Sequence, residues 1–291
     1  MWKEARGRCF YRLFFEAKCA DVAQLVEQLI RNQQVTGSNP VVGSNPMRTA
    51  IIIPTLQEVD NIVPLVEQIE QTKVPFDEII FVDDGSTDGT REKIRALTAA
   101  HRVRLIEREG AERGLAGAVI AGAHASSADV FVVMDADLSH PPEEIASLLQ
   151  PLLANEADLV IGSRYIPGGT TPDWPAWRRF LSRVASALAY PLTGVHDSMG
   201  GFFAIRREFL LQFANQAAGF KIVFETIVRG RETLRVREVP IVFRDRARGM
   251  SKMSFAQAMR FALAWLRAIG RRLTEGKTSA PPLPAQRSFR D

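Results

Sequence analysis

Cysteine is almost missing from this chain: only Cys9 and Cys19 occur in 291 residues. A disulfide scaffold is therefore excluded. Long apolar runs are missing as well. No stretch of about 18 residues runs without a charge or a break, so the sequence predicts no transmembrane helix. Glycine (20) and proline (16) are too few and too scattered for a collagen-like or low-complexity chain. With 46% apolar and 24% charged residues the composition is that of a globular protein, one large domain or two small ones. A strong excess of one charge is also lacking, since 37 basic side chains face 33 acidic ones. That balance hides an asymmetry. Residues 47–228 hold 24 acidic and 16 basic side chains, whereas residues 229–272 hold 12 basic and 3 acidic. An acidic body beside a basic segment suits an anionic ligand held between them, bridged by a cation. It does not suit nucleic acid, whose phosphates the acidic body would repel.

The first 46 residues read differently from the rest. Val22, Leu25, Val26, Leu29 and Ile30 have the spacing of one short amphipathic helix. Gly-Ser-Asn-Pro then occurs at 37–40 and again at 43–46. The stretch VAQLVEQLIRNQQVTGSNPVVGSNP resembles the conceptual translation of a transfer-RNA gene, and Met47 follows directly. The expectation is a start placed too far upstream, with 1–46 a non-native or disordered extension and Met47 the beginning. A targeting peptide or a helical arm are the competing readings. A signal peptide fits poorly, because no uninterrupted apolar core precedes a small-residue cleavage site.

From Met47 onward, short apolar runs alternate with helical patterns. Strands are predicted at Ala50–Ile53, Glu78–Val82, Val103–Ile106, Val130–Met134 and Leu159–Ile161. Helices are predicted at Glu58–Gln71, Asp88–Ala100 (capped by Thr87 or Asp88), Arg113–Ala125 and Pro142–Leu153. Strand and helix alternating at about 25-residue spacing imply right-handed crossovers and an α/β domain with a mostly parallel sheet. Ligands of such sheets bind at the carboxyl ends of the strands. Four polar clusters fall there: Pro54-Thr55-Leu56-Gln57-Glu58, Asp83-Asp84-Gly85-Ser86-Thr87-Asp88, Asp135-Ala136-Asp137, and Gly162-Ser163-Arg164-Tyr165. Each alone has a structural explanation as a turn or a helix cap. Together on one sheet edge they point to chemistry. Two acids two residues apart at a strand end can share one hard divalent cation, which in turn clamps a nucleotide diphosphate. Without a cation they would repel each other and any phosphate.

The motifs IIIPTLQE, VDDGSTDGT, VFVVMDADLSHPPE, VIGSRY, PDWPAWRRFLS, GGFFAIRRE, GFKI and RARGMSK resemble, in order and spacing, the family-two glycosyltransferases. The likeness spans roughly residues 50–253 and is stronger to the dolichyl- and polyprenyl-phosphate mannosyltransferases. It implies a single Rossmann-like nucleotide-diphospho-sugar transferase domain of GT-A type over 47–253. The implied reaction is inverting transfer of a hexose, mannose from GDP-mannose, to a polyprenyl or dolichyl phosphate. The alternatives are another donor such as UDP-glucose, a soluble acceptor, or a non-catalytic nucleotide-sugar binder. Against the last stand the intact Asp135, Asp137, Arg246 and Lys252.

The resemblance also implies roles. Asp135 and Asp137 hold Mg²⁺ or Mn²⁺, and Ser139 falls where relatives carry a Gln ligand. Pro54, Glu58, Asp83 and Asp84 fall at the nucleoside, with Asp135 and Ala136 beside the donor. The usual Thr-Tyr-Asn-Glu reads Thr-Leu-Gln-Glu here, so a ring that could mark the base is absent. Arg246 and Lys252 reach the donor phosphates from a closing loop, and Lys221 contacts the donor or its sugar. Arg164, Arg178 and Ser182 hold the acceptor phosphate. Asp197 falls where a relative using an alcohol acceptor places its base. Asp137, Arg164, Arg246 and Lys252 are thus the expected catalytic set. A phosphate monoester is already anionic and needs no strong general base, in keeping with only four histidines. His140 and His196 read as packing or hydrogen-bonding residues, and Arg179, Arg183, Arg206 and Arg207 as surface ion pairs.

Beyond residue 253, Phe255, Met259, Ala262, Leu266, Ile269 and Leu273 form an apolar stripe opposite Arg260, Arg267 and Arg271. Residues 254–273 are expected to be an amphipathic helix in an anionic interface, or a last helix packed on the sheet. Residues 274–291 are expected to be a disordered Pro-rich tail. The expected setting is the cytoplasmic face of a membrane, reached peripherally or through a membrane-anchoring partner, or the cytoplasm.

Overall fold

The computed structural model describes residues 47–109, 114–214, 217 and 221–245. The predicted extension 1–46, Arg246, Lys252, the predicted helix 254–273 and the tail lie outside the described residues.

Among the described residues seven strands form one sheet: β1 Thr49–Thr55, β2 Glu78–Asp83, β3 Val103–Glu107, β4 Val130–Val133, β5 Leu159–Ser163, β6 Phe203–Arg206 and β7 Val236–Pro240, in the order β3-β2-β1-β4-β6-β5-β7. β6 alone runs antiparallel, between β4 and β5. The mostly parallel α/β sheet expected from the alternation is therefore observed. Central β1 pairs with β2 and β4 through Ile51↔Ile79 and Ile51↔Val132, and Ala50 to Ile53 are wholly buried. Continuous apolar runs without alternation mark strands covered on both faces.

Among the described residues the longer α-helices are α1 Ile62–Gln71, α2 Thr90–Leu97, α3 Gly114–Ala125, α4 Ile145–Leu153, α5 Ala176–Thr193 and α6 Ile222–Gly230. α1 starts four residues later than its pattern suggested, because Gln57 adopts φ 59° and Glu58 to Asn61 form a turn. α2 is shorter at both ends. Gly89 stands at φ 94°, and the Asp88 carboxylate accepts the Thr90 N–H at 3.1 Å. Pro142–Glu144 is a 3₁₀ turn leading into α4. α3 lies flat on the sheet because Gly122 has no side chain: a Cβ there would stand 2.8 Å from Ile52 Cγ2. The alternation is not continued after β5. The chain adds the long α5, returns antiparallel as β6, and closes with α6 and β7. No helix among the described residues is long and apolar enough to cross a membrane.

Candidate active site

The loops after β1 and β2 are stitched together by side chains that turns of this kind require. Gln57 N–H donates to Ser86 Oγ (2.8 Å), and Glu58 N–H donates to Thr90 Oγ1 (2.9 Å). Glu58 accepts Asn61 Nδ2 at 2.7 Å. Asp83 is wholly buried, and its Oδ1 accepts the N–H groups of Gly85 and Ser86 and the Arg91 Nε–H. Burial alone would push this carboxyl up, but the bonds from Ser86, Arg91 and Gly85 override it and hold the group below its ordinary range. Its other oxygen, Oδ2, is buried with no hydrogen-bond partner among the described residues. Asp84 differs. Burial pushes it up, Asp83 beside it adds to the shift, and the Arg108 guanidinium at 2.7 Å opposes it. Pro54 sits in the β1 ladder opposite Val82, next to this turn.

After β4 the chain makes a tight turn with Leu138 at φ 62°. Asp137 points inward, 4% exposed, and its Oδ1 accepts both the Ser139 N–H (3.1 Å) and the Ser139 hydroxyl (2.6 Å). Ser139 thus braces Asp137. The Asp135 side chain is one-third exposed, and Ala136 between the two acids is buried. The Asp135 N–H donates to His140 Nδ1 at 2.9 Å, which makes Nδ1 the acceptor and leaves the proton on Nε2. His140 stacks on Phe202 and meets Phe243 edge-on. Burial lowers its pKa, against the pull of Asp135 and Asp137, so the ring is neutral and packs as expected. His196 is exposed and bonds Glu238. Among the described residues no group of three or more His, Cys, Asp or Glu is arranged around one metal position.

A second cluster lies beyond the end of β5. Arg164 is 9% exposed and Asp197 wholly buried. Asp197 accepts the Arg164 Nε–H (2.7 Å), Nη2–H (2.8 Å) and backbone N–H (3.0 Å). Its own N–H is held by Glu238 on β7. All three donors to this carboxylate come from Arg164, two to Oδ2 and one to Oδ1. The Arg164 guanidinium faces Tyr165, Trp174 and Phe243 at 5.2 to 5.5 Å. Arg178 lies over the Trp174 ring, 4.0 Å from its centre, and donates to Asp245 (3.3 Å). Ser182, one turn further along α5, accepts the Tyr165 hydroxyl. The three residues expected at the acceptor phosphate therefore converge on Trp174 and Tyr165. Half-buried Lys221 donates to the Met199 carbonyl at 3.3 Å. Burial lowers its pKa to about 8, and Arg164 adds to the shift while Asp197 and Asp135 oppose it.

Phe243 joins the two clusters, since it packs edge-on against both His140 and Trp174. Arg244 and Asp245 follow it, tied to Glu143, Asp173 and Arg178, so the chain leading into RARGMSK starts at the rim of the site. Trp174, Phe202 and Phe243 escaped the sequence reading because isolated aromatics carry no spacing signal.

The ion-pair reading of the four other arginines holds for Arg206 and is corrected for the rest. Arg206 pairs with Asp158 at 3.6 Å, as expected. Arg207 instead donates to the carbonyls of Ala123 and Ser126. Arg179 and Arg183 have no carboxylate partner among the described residues. They line a cleft of about 380 Å³ with Arg164, Tyr165, Thr170 and Thr171.

A doubly wound sheet with an acidic pair at a central strand end and arginines beyond it defines a nucleotide-sugar transferase type of domain. Residues 50–213 match the family described as Glycosyl transferase family 2. The chain belongs to this family and is a glycosyltransferase. It is 41% identical over 212 residues to a dolichol-phosphate mannosyltransferase of Pyrococcus furiosus, covering 71% of this chain and 59% of that protein. It thus spans less than two thirds of that relative's length. A dolichol-phosphate mannosyltransferase of Saccharomyces cerevisiae is 37% identical, with 70% of this chain and 80% of that protein covered. The polyprenol monophosphomannose synthase of Mycolicibacterium smegmatis is 39% identical, with 76% and 87% covered. Among solved structures, glucosyl-3-phosphoglycerate synthase from Mycobacterium tuberculosis with Mn²⁺, UDP-glucose and phosphoglyceric acid superposes with TM-score 0.61 at 22% identity, over 81% of this chain and 86% of that one. That likeness confirms the fold.

Proposed function

We propose that the protein transfers mannose from GDP-mannose to a polyprenyl or dolichyl phosphate, with inversion, giving a β-linked lipid-phosphate sugar. The observation that carries this reading is the continuous His140–Phe243–Trp174–Arg164 packing. It joins a turn built for a nucleotide diphosphate to arginines suited to a phosphate. The names of the relatives at 37 to 41% identity support the sugar and the lipid acceptor.

The donor set at the β4 turn fits a hard divalent cation. Asp135 and Asp137 offer carboxylate oxygens, one inward and one partly exposed, and each is oriented by a neighbour, Asp137 by Ser139 and Asp135 through His140. Asp135 and Asp137 would hold Mg²⁺ or Mn²⁺, which supplies charge neutralisation for the leaving diphosphate. Ser139 serves as a positioning residue for Asp137. The buried Asp83 Oδ2, unpaired among the described residues, is an acceptor suited to a nucleobase N–H, with Pro54, Glu58 and Asp84 around the nucleoside. Lys221 places a positive charge between the two clusters, beside the donor sugar. Arg246 and Lys252 complete the donor side from the segment that follows Asp245. On the other side, Arg164, Arg178 and Ser182 bind and orient the acceptor phosphate, which attacks as an anion. Asp197, closed by Arg164, holds that guanidinium rather than taking a proton. The catalytic domain is assigned to 47–253. The proposed setting is the cytoplasmic face of a membrane, where nucleotide sugars are available, reached peripherally or with a membrane-anchoring partner.

The test is transfer of label from GDP-mannose with Mn²⁺ into an organic phase, with and without polyprenyl phosphate. Label that moves only with the lipid supports the reading. Transfer from UDP-glucose alone would correct the donor, and donor hydrolysis or silence across a panel of nucleotide sugars would refute the lipid acceptor.

A further inference from the structure

The loop Gly194–Phe202, between α5 and β6, touches three of the groups placed in the site. Its Asp197 accepts three hydrogen bonds from Arg164. Its Met199 carbonyl accepts the Lys221 ammonium at 3.3 Å. Gly201 passes so close to the turn after β4 that a Cβ would stand 3.3 Å from His140 Cε1 and 3.4 Å from Asp135 Oδ1. The ends of the loop are fixed by the backbone. Gly194, at φ 71°, closes α5 with its N–H on Tyr190 O at 2.7 Å, and Phe202 O accepts the Gly162 N–H at 2.9 Å. Between these ends, two consecutive N–H groups are held by one side chain from another element. Glu238 on β7 accepts the His196 N–H on Oε2 (2.8 Å) and the Asp197 N–H on Oε1 (3.0 Å). His196 Nδ1 stands 3.0 Å from the same Oε2. The Glu238 side chain is only 10% exposed. In the ladder it lies opposite Ile161 of β5, the strand whose end delivers Arg164. Bonds from backbone N–H to a carboxylate are among the stronger ones, and leaving such buried donors unmet is costly.

We propose that Glu238 is a positioning residue for the transfer reaction. It pins the His196–Asp197 peptide from β7, and through the Asp197 carboxylate it sets the place and orientation of the Arg164 guanidinium. Glu238 contacts none of the reacting groups itself. A carboxylate offers one oxygen to each of two neighbouring N–H groups. An amide has one oxygen and two N–H donors, so Gln satisfies one of the pair and sets a donor against the other. The role of Arg164 comes from the proposed function, on which the kinetic part of this inference rests. The linkage Glu238–Asp197–Arg164 stands on the geometry alone.

A double-mutant cycle on the full chain tests the kinetic part, with label followed from GDP-mannose to polyprenyl phosphate in the presence of Mn²⁺. Glu238→Gln should lower kcat/KM for the lipid phosphate on the order of 10- to 100-fold, as displaced orienting groups do. Glu238→Asp, which keeps both acceptor oxygens, should recover part of that loss. In an Arg164→Lys background the same Glu238→Gln change should cost less than about 3-fold, because the side chain it acts through is already altered. Equal losses in both backgrounds would reduce Glu238 to a residue of general stability and overturn the proposal. So would no loss in either. A second measurement needs no activity. The Arg164 Nε–H resonance, identified in a nitrogen–proton correlation spectrum by its loss in Arg164→Lys, should exchange slowly with solvent in the unaltered protein. It should shift and exchange faster in Glu238→Gln, and an unchanged resonance would overturn the proposal. If Glu238→Gln does not fold, the unaltered protein decides: the His196 and Asp197 N–H groups should exchange as slowly as those of β5. Exchange at the rate of an open loop would overturn the proposal. A perturbed Arg164 resonance in Glu238→Gln, with no mannosyl transfer by the unaltered protein, would reject the proposed function while leaving the linkage standing.

Discussion

Replacing Asp197 by Asn separates a structural carboxylate from a catalytic one. The side chain is wholly buried and accepts three hydrogen bonds from Arg164, whose guanidinium is 9% exposed. Asn keeps the shape and one acceptor but removes the charge, leaving a nearly buried guanidinium uncompensated. Breaking a buried pair from one side costs about 3–5 kcal/mol. With one acceptor retained, the lower end applies, about 3 kcal/mol. In a domain of this size that lowers Tm by roughly 6–12 °C. Differential scanning calorimetry and urea unfolding read the loss directly, and kinetics should show a raised KM for the lipid phosphate as Arg164 loses its anchor. The double variant Arg164→Met with Asp197→Leu should recover most of the stability, because an apolar pair of similar volume carries no desolvation cost. The reasoning fails if Asp197→Asn loses less than about 1 kcal/mol while kcat falls on the order of 100-fold or more, the signature of a general base.

The remaining predictions concern the donor side. Asp135→Asn should lower kcat on the order of 100-fold or more and weaken Mn²⁺ binding, measured by titration calorimetry, with little change in Tm because the side chain is partly exposed. His140→Phe keeps the stacking on Phe202 but orphans the Asp135 N–H. It should cost about 1–3 kcal/mol in unfolding and raise the Mn²⁺ concentration needed for half-maximal rate. Lys221, with its pKa lowered to about 8, is charged below that pH and neutral above it. The profile of kcat/KM for the donor should therefore fall as pH rises through about 8, and Lys221→Arg should abolish that limb. The same shift acts on stability in the opposite sense. Between about 8 and the ordinary value of 10.5 the unfolded chain binds the extra proton, so Lys221 makes stability rise with pH across that window, a slope that Lys221→Met should remove.

The acidic turns were legible because strand ends announce themselves. An apolar run followed by paired carboxylates is a local pattern, and β1, β2, β4 and β5 deliver Pro54, Asp83, Asp135 and Arg164 where the alternation put them. Boundaries shifted where side chains competed with the backbone: Gly89, not Thr87 or Asp88, is the cap of α2, with the Asp88 carboxylate accepting the Thr90 N–H, and the turn from Glu58 delayed α1. The half after β5 was opaque as structure. β6 is short and antiparallel, and β7 is a half-exposed edge strand with no apolar run. α5 buries Ala189 and Leu192 but leaves Trp177, Phe180, Leu181, Val184 and Leu188 exposed, a pattern unlike that of a core helix.

By itself the sequence determined the fold class, the sheet edge that bears the chemistry and the family, because these rest on periodicity and on motifs contiguous in the chain. Only the tertiary structure decided which charges are spent and which remain. Asp197 and Arg164 are 33 residues apart in sequence and quench each other in the interior. Arg179 and Arg183, which read as surface ion pairs, line a cleft and have no carboxylate partner among the described residues. Pairing depends on distance in space, and a chain of this contact range brings together residues that no local pattern relates.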